Sequence, residues 1–384
     1  MKKEGSPIGD LAINKLRRQR RVDVDRFLAE HDVPIVEGRY CTFLYRGEAD
    51  DVFLVQRIVG LPDRLPLRRV PDTDLWYVVL GLPDGSRLDY QFQVRRGDHV
   101  ERLNDPLNPR RSHGPFGSLS VCFAHGYTTP EWTRPDPAAP PGALTNLVVG
   151  SRALGRDCTV TMYLPASLGR GGRYPLLVVH DGDDFLRYAA AKTALDNLIH
   201  RGDLAATVVA FQCPKDRLTE YADSPGHARF LTAELLPRLM SEYPLTDQRC
   251  LLGASFGAVA SLSAAVRSPG TYTSLILLSG SFVFTDGIVD HGAGPVFEPV
   301  VKFVNAYRRR PTHVTNRLFL SCGVYEPLIV RNRAMRPVFE STGMAVRYAE
   351  ARDGHTWENW RDRLRDALSW AIGPAPRERS PSSH

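Results

Sequence analysis

Cys250-Leu-Leu-Gly253-Ala254-Ser255-Phe256-Gly257-Ala258-Val-Ala-Ser-Leu-Ser-Ala-Ala-Val266 is the stretch on which the fold turns. Residues 250–252 are a short apolar run suited to the end of a buried strand, and Gly253-Ala254-Ser255-Phe256-Gly257 follows without a spacer. Ala258, Ala260, Ala264 and Ala265 then favour a helix, Leu262 and Val266 give it apolar surface, and Pro269 with Gly270 stops it. Strand, Gly-x-Ser-x-Gly and helix in that order spell a nucleophile elbow, whose tight turn strains the serine backbone and exposes its oxygen above a sheet. Gly253 and Gly257 allow strand and helix to approach closely. Five such residues alone also fit a glycine-rich turn with an incidental serine; the flanking strand and helix separate the two readings.

A serine hydroxyl attacks poorly until a base removes its proton, and in this architecture acid and histidine follow the serine in chain order. Of eleven histidines, His291, His313, His355 and His384 lie beyond Ser255. His384 is in the tail, His291 in a glycine-rich loop and His313 in a polar connection. His355, in Asp353-Gly354-His355-Thr356-Trp357, falls between the last strand and a helix beginning near Glu358, which predicts the base there. The acid is expected at Glu326, in Gly323-Val324-Tyr325-Glu326-Pro327 after another strand, with Asp353 and Glu350 as rivals. Oxyanion donors are expected from the backbone N–H of Phe256 and, in the turn Asp181-Gly182-Asp183-Asp184, that of Asp183. His180 with Asp181, Asp183 and Asp184 could also suggest a metal, but one histidine and consecutive aspartates do not converge on one ion. Neither cofactor nor metal is expected.

Outward from the elbow, runs at 176–180, 207–211, 249–252, 275–278, 317–322 and 346–350 read as buried strands. Helical patterns such as 189–199 and 228–240 lie between them, the latter kinked by Pro237. Apolar strands alternating with helices predict an α/β domain with a mostly parallel sheet covered on both faces, opened by paired edge strands at 144–149 and 158–164. Before it, runs at 41–45, 52–57, 75–80, 88–94 and 119–123, separated by Asp72-Thr73-Asp74, Pro83-Asp84-Gly85 and Arg96-Gly97-Asp98, predict a smaller antiparallel β-sandwich. Its aromatics Trp76, Tyr77, Tyr90 and Phe92 read as core. The expected organisation is a helical or flexible segment at 1–39, the sandwich at 40–129, a Pro-rich linker at 130–142, the α/β domain at 143–372 and a disordered tail at 373–384. In the first segment Leu11, Leu16, Val22 and Phe27 suggest one amphipathic helix.

The 384 residues are 43% hydrophobic and 24% charged, as in globular proteins. Six scattered cysteines without Cys-x-x-Cys spacing read as reduced core residues. Residues 1–21 lack the apolar core of a signal peptide and no run reaches membrane-spanning length, so a cytoplasmic protein without a membrane partner is expected. A formal charge of +6 favours anionic ligands, but the basic runs at 15–21 and 308–310 lack interleaved aromatics and do not predict nucleic-acid binding.

An ordered set of segments adds a resemblance. His180-Asp181-Gly182 follows a buried strand, and Asp216-Arg217-Leu218-Thr219-Glu220-Tyr221 precedes a helix. The elbow, Leu278-Ser279-Gly280-Ser281-Phe282, residues 323–327 and residues 353–360 complete the set. On these residues the second domain resembles the esterase D group of α/β-hydrolases, and the chain from about 40 to 371 resembles bacterial enterochelin (ferric siderophore) esterases. Thr42-Phe43-Leu44-Tyr45-Arg46-Gly47, Asp74-Leu75-Trp76 and Asn104-Asp105-Pro106-Leu107-Asn108-Pro109 extend the likeness, more loosely, into the sandwich. The resemblance implies metal-free hydrolysis of carboxylic esters, the roles given to Ser255, Glu326 and His355, and Arg217 and Glu220 as residues shaping the site. It departs at Asp353-Gly354-His355, where Gly-Gly-His is usual, and at Ala258, where a further glycine is common. The implied substrate is the small-molecule ester backbone of a catecholate siderophore, in its ferric form an anion suited to a basic protein. A carbohydrate-ester (feruloyl or acetyl) esterase with a glycan-binding sandwich, and a non-catalytic relative that sequesters its ligand, are the alternatives.

Overall fold

The computed structural model describes residues 9–284 and 295–374. His291, His384 and the expected tail from residue 375 lie outside the described residues. The chain forms two compact units: the first runs to Thr128 and takes in Val324–Glu326 and Arg352–Gly354, and the second holds the remainder from Thr129.

In the first unit the expected single N-terminal helix is two, α1 (Ala12–Arg17) and α2 (Val24–Ala29). Leu11, Ile13, Leu16, Val24 and Phe27 are buried. The basic run 17–21 interrupts them, and a carboxylate meets the start of each helix: Glu37, from the strand that follows, accepts from the Ala12 amide at 3.0 Å, and the N-cap Asp23 accepts from that of Arg26 at 3.0 Å. The strands are β1 (Ile35–Glu37), β2 (Tyr40–Arg46), β3 (Asp51–Val55), β4 (Arg64–Pro66), β5 (Arg68–Arg69), β6 (Leu75–Gly81), β7 (Arg87–Arg96), β8 (His99–Leu103), β9 (Arg111–Gly114) and β10 (Gly117–Phe123). They form antiparallel sheets of order β1-β2-β6-β5 and β4-β3-β7-β10-β9, with β8 also on β7. Alternation sets the core: Leu88, Tyr90, Phe92 and Val94 of β7 point inward. Phe43 meets the Tyr90 ring edge-on at 4.8 Å, and Tyr45 that of Phe92 at 5.7 Å. Trp76, Tyr77, Tyr90 and Phe92 are all buried.

The second unit has β11 (Ala143–Ser151), β12 (Arg156–Leu164), β13 (Tyr174–Val179), β14 (Val208–Gln212), β15 (Leu245–Ala254), β16 (Ser274–Leu278), β17 (Arg317–Gly323) and β18 (Ala345–Ala351). Their order is β11-β12-β14-β13-β15-β16-β17-β18, antiparallel as far as β14 and parallel from there. The helices are α3 (Gly182–Tyr188), α4 (Ala191–His200), α5 (Arg217–Tyr221), α6 (Pro225–Arg229), α7 (Leu236–Glu242), α8 (Phe256–Arg267), α9 (Glu298–Arg309), α10 (Ile329–Glu340) and α11 (Trp357–Ala371). Alternate strand residues feed two cores. Leu176, Val178, Leu251, Leu275 and Leu318 pack with α7 to α10. Leu177, Val179, Leu252, Ile276 and Phe319 pack with α4 and α11. This is an α/β-hydrolase domain with a mostly parallel sheet, preceded by a smaller all-β sandwich.

Two helix readings differ. The helix over 189–199 begins after Ala190, whose left-handed backbone (φ 46°) separates it from α3. The helix over 228–240 is divided by a π-helical turn, Phe230–Leu235, just before Pro237. A wider turn there accommodates a residue without an N–H whose ring would crowd the carbonyl four residues back. All six cysteines are free, and Cys213 differs from the expected core placement in being only half-buried. No helix among the described residues is long and apolar enough to cross a membrane.

Candidate active site

The turn from β15 to α8 carries Ser255 at φ 55°, ψ −119°, outside the regions an L-residue readily adopts. Its amide donates to the Leu278 carbonyl at 2.9 Å, tying the turn to β16. The glycines are required by space. A Cβ on Gly253 would lie 2.1 Å from the Gly257 carbonyl oxygen, and one on Gly257 would lie 3.1 Å from His180 Cβ. Ser255 Oγ is 3.1 Å from Ser281 Oγ, and the Ser281 amide donates to the Ser255 carbonyl at 3.1 Å. The Ser279–Gly280–Ser281 loop is clamped by Asn332, fully buried on α10: Gly280 N donates to its Oδ1 at 3.1 Å and its Nδ2 donates to the Gly280 carbonyl at 2.9 Å. Ser281 and Asn332 were not singled out from sequence as site residues. Ser281 had a signal in its position after a strand, whereas Asn332 lies mid-helix with no local signature.

Parallel register brings the candidate loops to one edge of the sheet. Ala254 pairs with Leu278, Leu278 with Ser321 and Ser321 with Ala349, so Ser255, the loop after β17 and the loop after β18 all leave carboxyl ends of neighbouring strands. His355 lies just before α11, exposed and edge-on to Trp360 at 5.0 Å. Trp360 Nε1 donates to Ser279 Oγ at 3.0 Å, which anchors the start of α11 to the same loop that meets Ser255. His313 instead faces the Thr342 carbonyl at 3.2 Å. Glu326 is 1% exposed. Glu350 and Asp353 each have an arginine partner. Glu350 forms a two-pronged pair with Arg333 at 2.7 Å and accepts from the Tyr348 hydroxyl at 2.8 Å, and Asp353 Oδ1 accepts from Arg87 at 3.2 Å.

Phe256 opens α8, where the first amides of a helix have no intrahelical carbonyl to meet. Asp183 is placed differently: its amide donates to Cys213 Sγ at 3.3 Å. Burial pushes that thiol up to about 12, so the acceptor is a neutral, weak one. Arg217 grips Asp181 through Nε and Nη2 at 2.8 to 3.0 Å, lies over the Tyr221 and Phe256 rings, and brings Nη2 to 3.4 Å from the Ala254 carbonyl beside Ser255. Glu220 turns to Arg156, which donates to both its oxygens at 2.8 and 2.9 Å. Burial raises its pKa, but His227, Arg156 and the Lys215 amide outweigh that and hold it down at about 2. Behind the elbow, His180 Nδ1 lies 3.2 Å from the Leu252 carbonyl and 3.1 Å from Ser261 Oγ, and its Nε2 lies 3.2 Å from His227 Nε2. Burial, and then their proximity to each other, keeps His180 well below the ordinary histidine range; burial lowers His227 too. Among the described residues no three His, Cys, Asp or Glu side chains are grouped as a metal site.

A family model described as putative esterase matches residues 151–371. The iron(III) enterobactin esterase of Dickeya dadantii (strain 3937) is 25% identical over 401 residues, covering 90% of this chain and 91% of its own. That of Escherichia coli (strain K12) is 24% identical over 339 residues, covering 86% and 75%. Among solved structures, ferric enterobactin esterase from Salmonella typhimurium superposes with a TM-score of 0.71 at 20% identity, covering 86% of this chain and 93% of that one. A ferulic acid esterase superposes with a TM-score of 0.51 at 18% identity, covering 60% and 98%.

Proposed function

The chain belongs to the esterase family, whose members are carboxylic ester hydrolases, and from that premise we propose that it works through an acyl-enzyme on Ser255 and opens the ester backbone of a catecholate siderophore. The observation that carries the mechanism is the strained backbone of Ser255 between β15 and α8. Strain of this size persists only where surrounding structure enforces it, and here it aims one hydroxyl out of the turn.

In this reading Ser255 Oγ attacks the ester carbonyl while His355 accepts its proton. The tetrahedral oxyanion is met by the Phe256 amide and by that of Asp183, which exchanges its weak bond to Cys213 for a charged acceptor. Collapse expels the alcohol, which takes the proton from His355. Water then attacks the acyl group by the same steps in reverse. Glu326 orients the imidazole and offsets its charge. Its place after β17, beside the strand leading to His355, supports it over the rivals. The Ser281 hydroxyl holds Ser255 Oγ in the resting enzyme.

The substrate rests on two supports: enterobactin esterases align with most of this chain, whereas the ferulic acid esterase matches 60% of it. Net charge of +6 suits an anionic ferric complex. Ser255→Ala is expected to reduce hydrolysis of both an aryl ester and a siderophore trilactone by about 1000-fold or more. Retained turnover by this variant would refute the acyl-enzyme. A specificity constant for feruloylated sugars exceeding that for ferric and iron-free siderophores would move the substrate to the carbohydrate esters.

A further inference from the structure

The turn Pro83-Asp84-Gly85 and the start of β7 do more than reverse the sandwich chain. Within the first unit, Ser86 Oγ lies 2.6 Å from the Tyr325 hydroxyl, and the Tyr325 carbonyl accepts from the Val59 amide at 3.0 Å. Arg87, 2% exposed, donates its amide to the Arg352 carbonyl at 2.9 Å and Nη1 to Asp353 Oδ1 at 3.2 Å. Arg352 Nη1 donates to the Asp84 carbonyl. Asp353 Oδ1 also accepts the Gly354 amide at 2.7 Å, and the Tyr325 amide donates to the Asp353 carbonyl at 3.1 Å. Two consecutive sandwich residues thus fasten the segment ending in Glu326 and the segment whose next residue is His355, and those segments are bonded to each other.

We propose that Arg87 is a positioning residue for ester hydrolysis: through Asp353 Oδ1 and the Gly354 amide it fixes the backbone from which His355 projects. Ser86 does the same for Glu326 through Tyr325. The proposal rests on the acyl-enzyme reading. Charge balance alone does not account for the contact, because Arg87 Nη2 already has Asp89, on its own strand, at 3.0 Å. The second carboxylate, 266 residues away in sequence, adds a cross-link to the base loop. A guanidinium forks onto two carboxylates in fixed directions, which a point charge does not do. Proton transfer between Ser255 and His355 tolerates little displacement, so loosening this anchor lowers kcat while leaving binding of a small substrate largely intact.

The test uses the full chain with a small aryl ester. In folded protein, with folding checked by thermal transition, Arg87→Ala should lower kcat about 10- to 100-fold with KM within about twofold. Arg87→Lys should recover part of that loss. Arg87→Ala combined with Asp353→Asn should be no slower than the worse single variant, because both act through one contact. If Arg87→Ala does not fold, Arg87→Lys and Ser86→Ala carry the test, each with a lowered kcat at nearly unchanged KM. Parent-like kcat in the folded variants, or losses that multiply in the double variant, would overturn the proposal. Ser255→Ala run in parallel separates the two claims. If it keeps hydrolysing, the acyl-enzyme falls and this proposal with it; if it is inactive while the folded Arg87 variants match the parent, this proposal alone falls.

Discussion

Gly253 and Ser255 show how tightly one turn is determined. The Gly257 carbonyl oxygen 2.1 Å from a Cβ at position 253 is backbone and cannot swing away, so the smallest side chain already overfills the space. Gly253→Ala is therefore expected to destabilise the fold by about 3 kcal/mol, the upper end for overpacking, read as a lowered urea midpoint. A parent-like midpoint would show that the turn relaxes more than this geometry permits. Ser255, His355 and Glu326 were legible as candidates because an elbow and two post-strand loops leave local marks in sequence. Asn332 left none, since an amide in mid-helix gains a role only when another loop arrives beside it, here Gly280. Asp183 shows the converse: its position in a tight turn was readable, but its bond to Cys213 was not, because the thiol comes from the end of β14.

Elements were read with varying success, and the differences have physical causes. Apolar runs mark the strands of both units because a strand buried on one or both faces must be apolar in a period its neighbours impose. Helix ends were less legible: left-handed Ala190 and the π-helical turn before Pro237 are backbone adjustments that composition does not advertise. The start of α11 bears most on the proposed site, since it follows His355 directly. Thr356 caps it, with Oγ1 accepting from the Asn359 amide at 3.1 Å. Thr356→Ala should cost about 1 kcal/mol of stability, measured by denaturant unfolding, and Thr356→Ser should restore most of it.

For the molecule as a whole, buried histidines set a pH limit. His180 and His227 resist protonation in the folded protein, while in the unfolded chain they take protons from the ordinary histidine value of 6.5 downward. Their contribution is complete above that value and declines as pH falls towards the depressed folded pKa values, because the unfolded state then binds more protons. The urea midpoint should fall between about pH 7 and pH 5. His227→Gln should flatten that slope; an unchanged slope would assign it to other groups. Glu220 acts in a lower window, its contribution present above 4.5 and lost as pH drops towards about 2. By itself the sequence determined the fold class and the chemical type, because buried strand patterns and a strand–glycine–serine–helix turn are local statements about backbone and burial. Only the tertiary structure decided which carboxylates were already engaged, which hydroxyl meets Ser255, and that Val324–Glu326 and Arg352–Gly354 join the compact unit of the sandwich. Those outcomes depend on contacts between residues as much as 268 positions apart, which no stretch of chain encodes in its own composition.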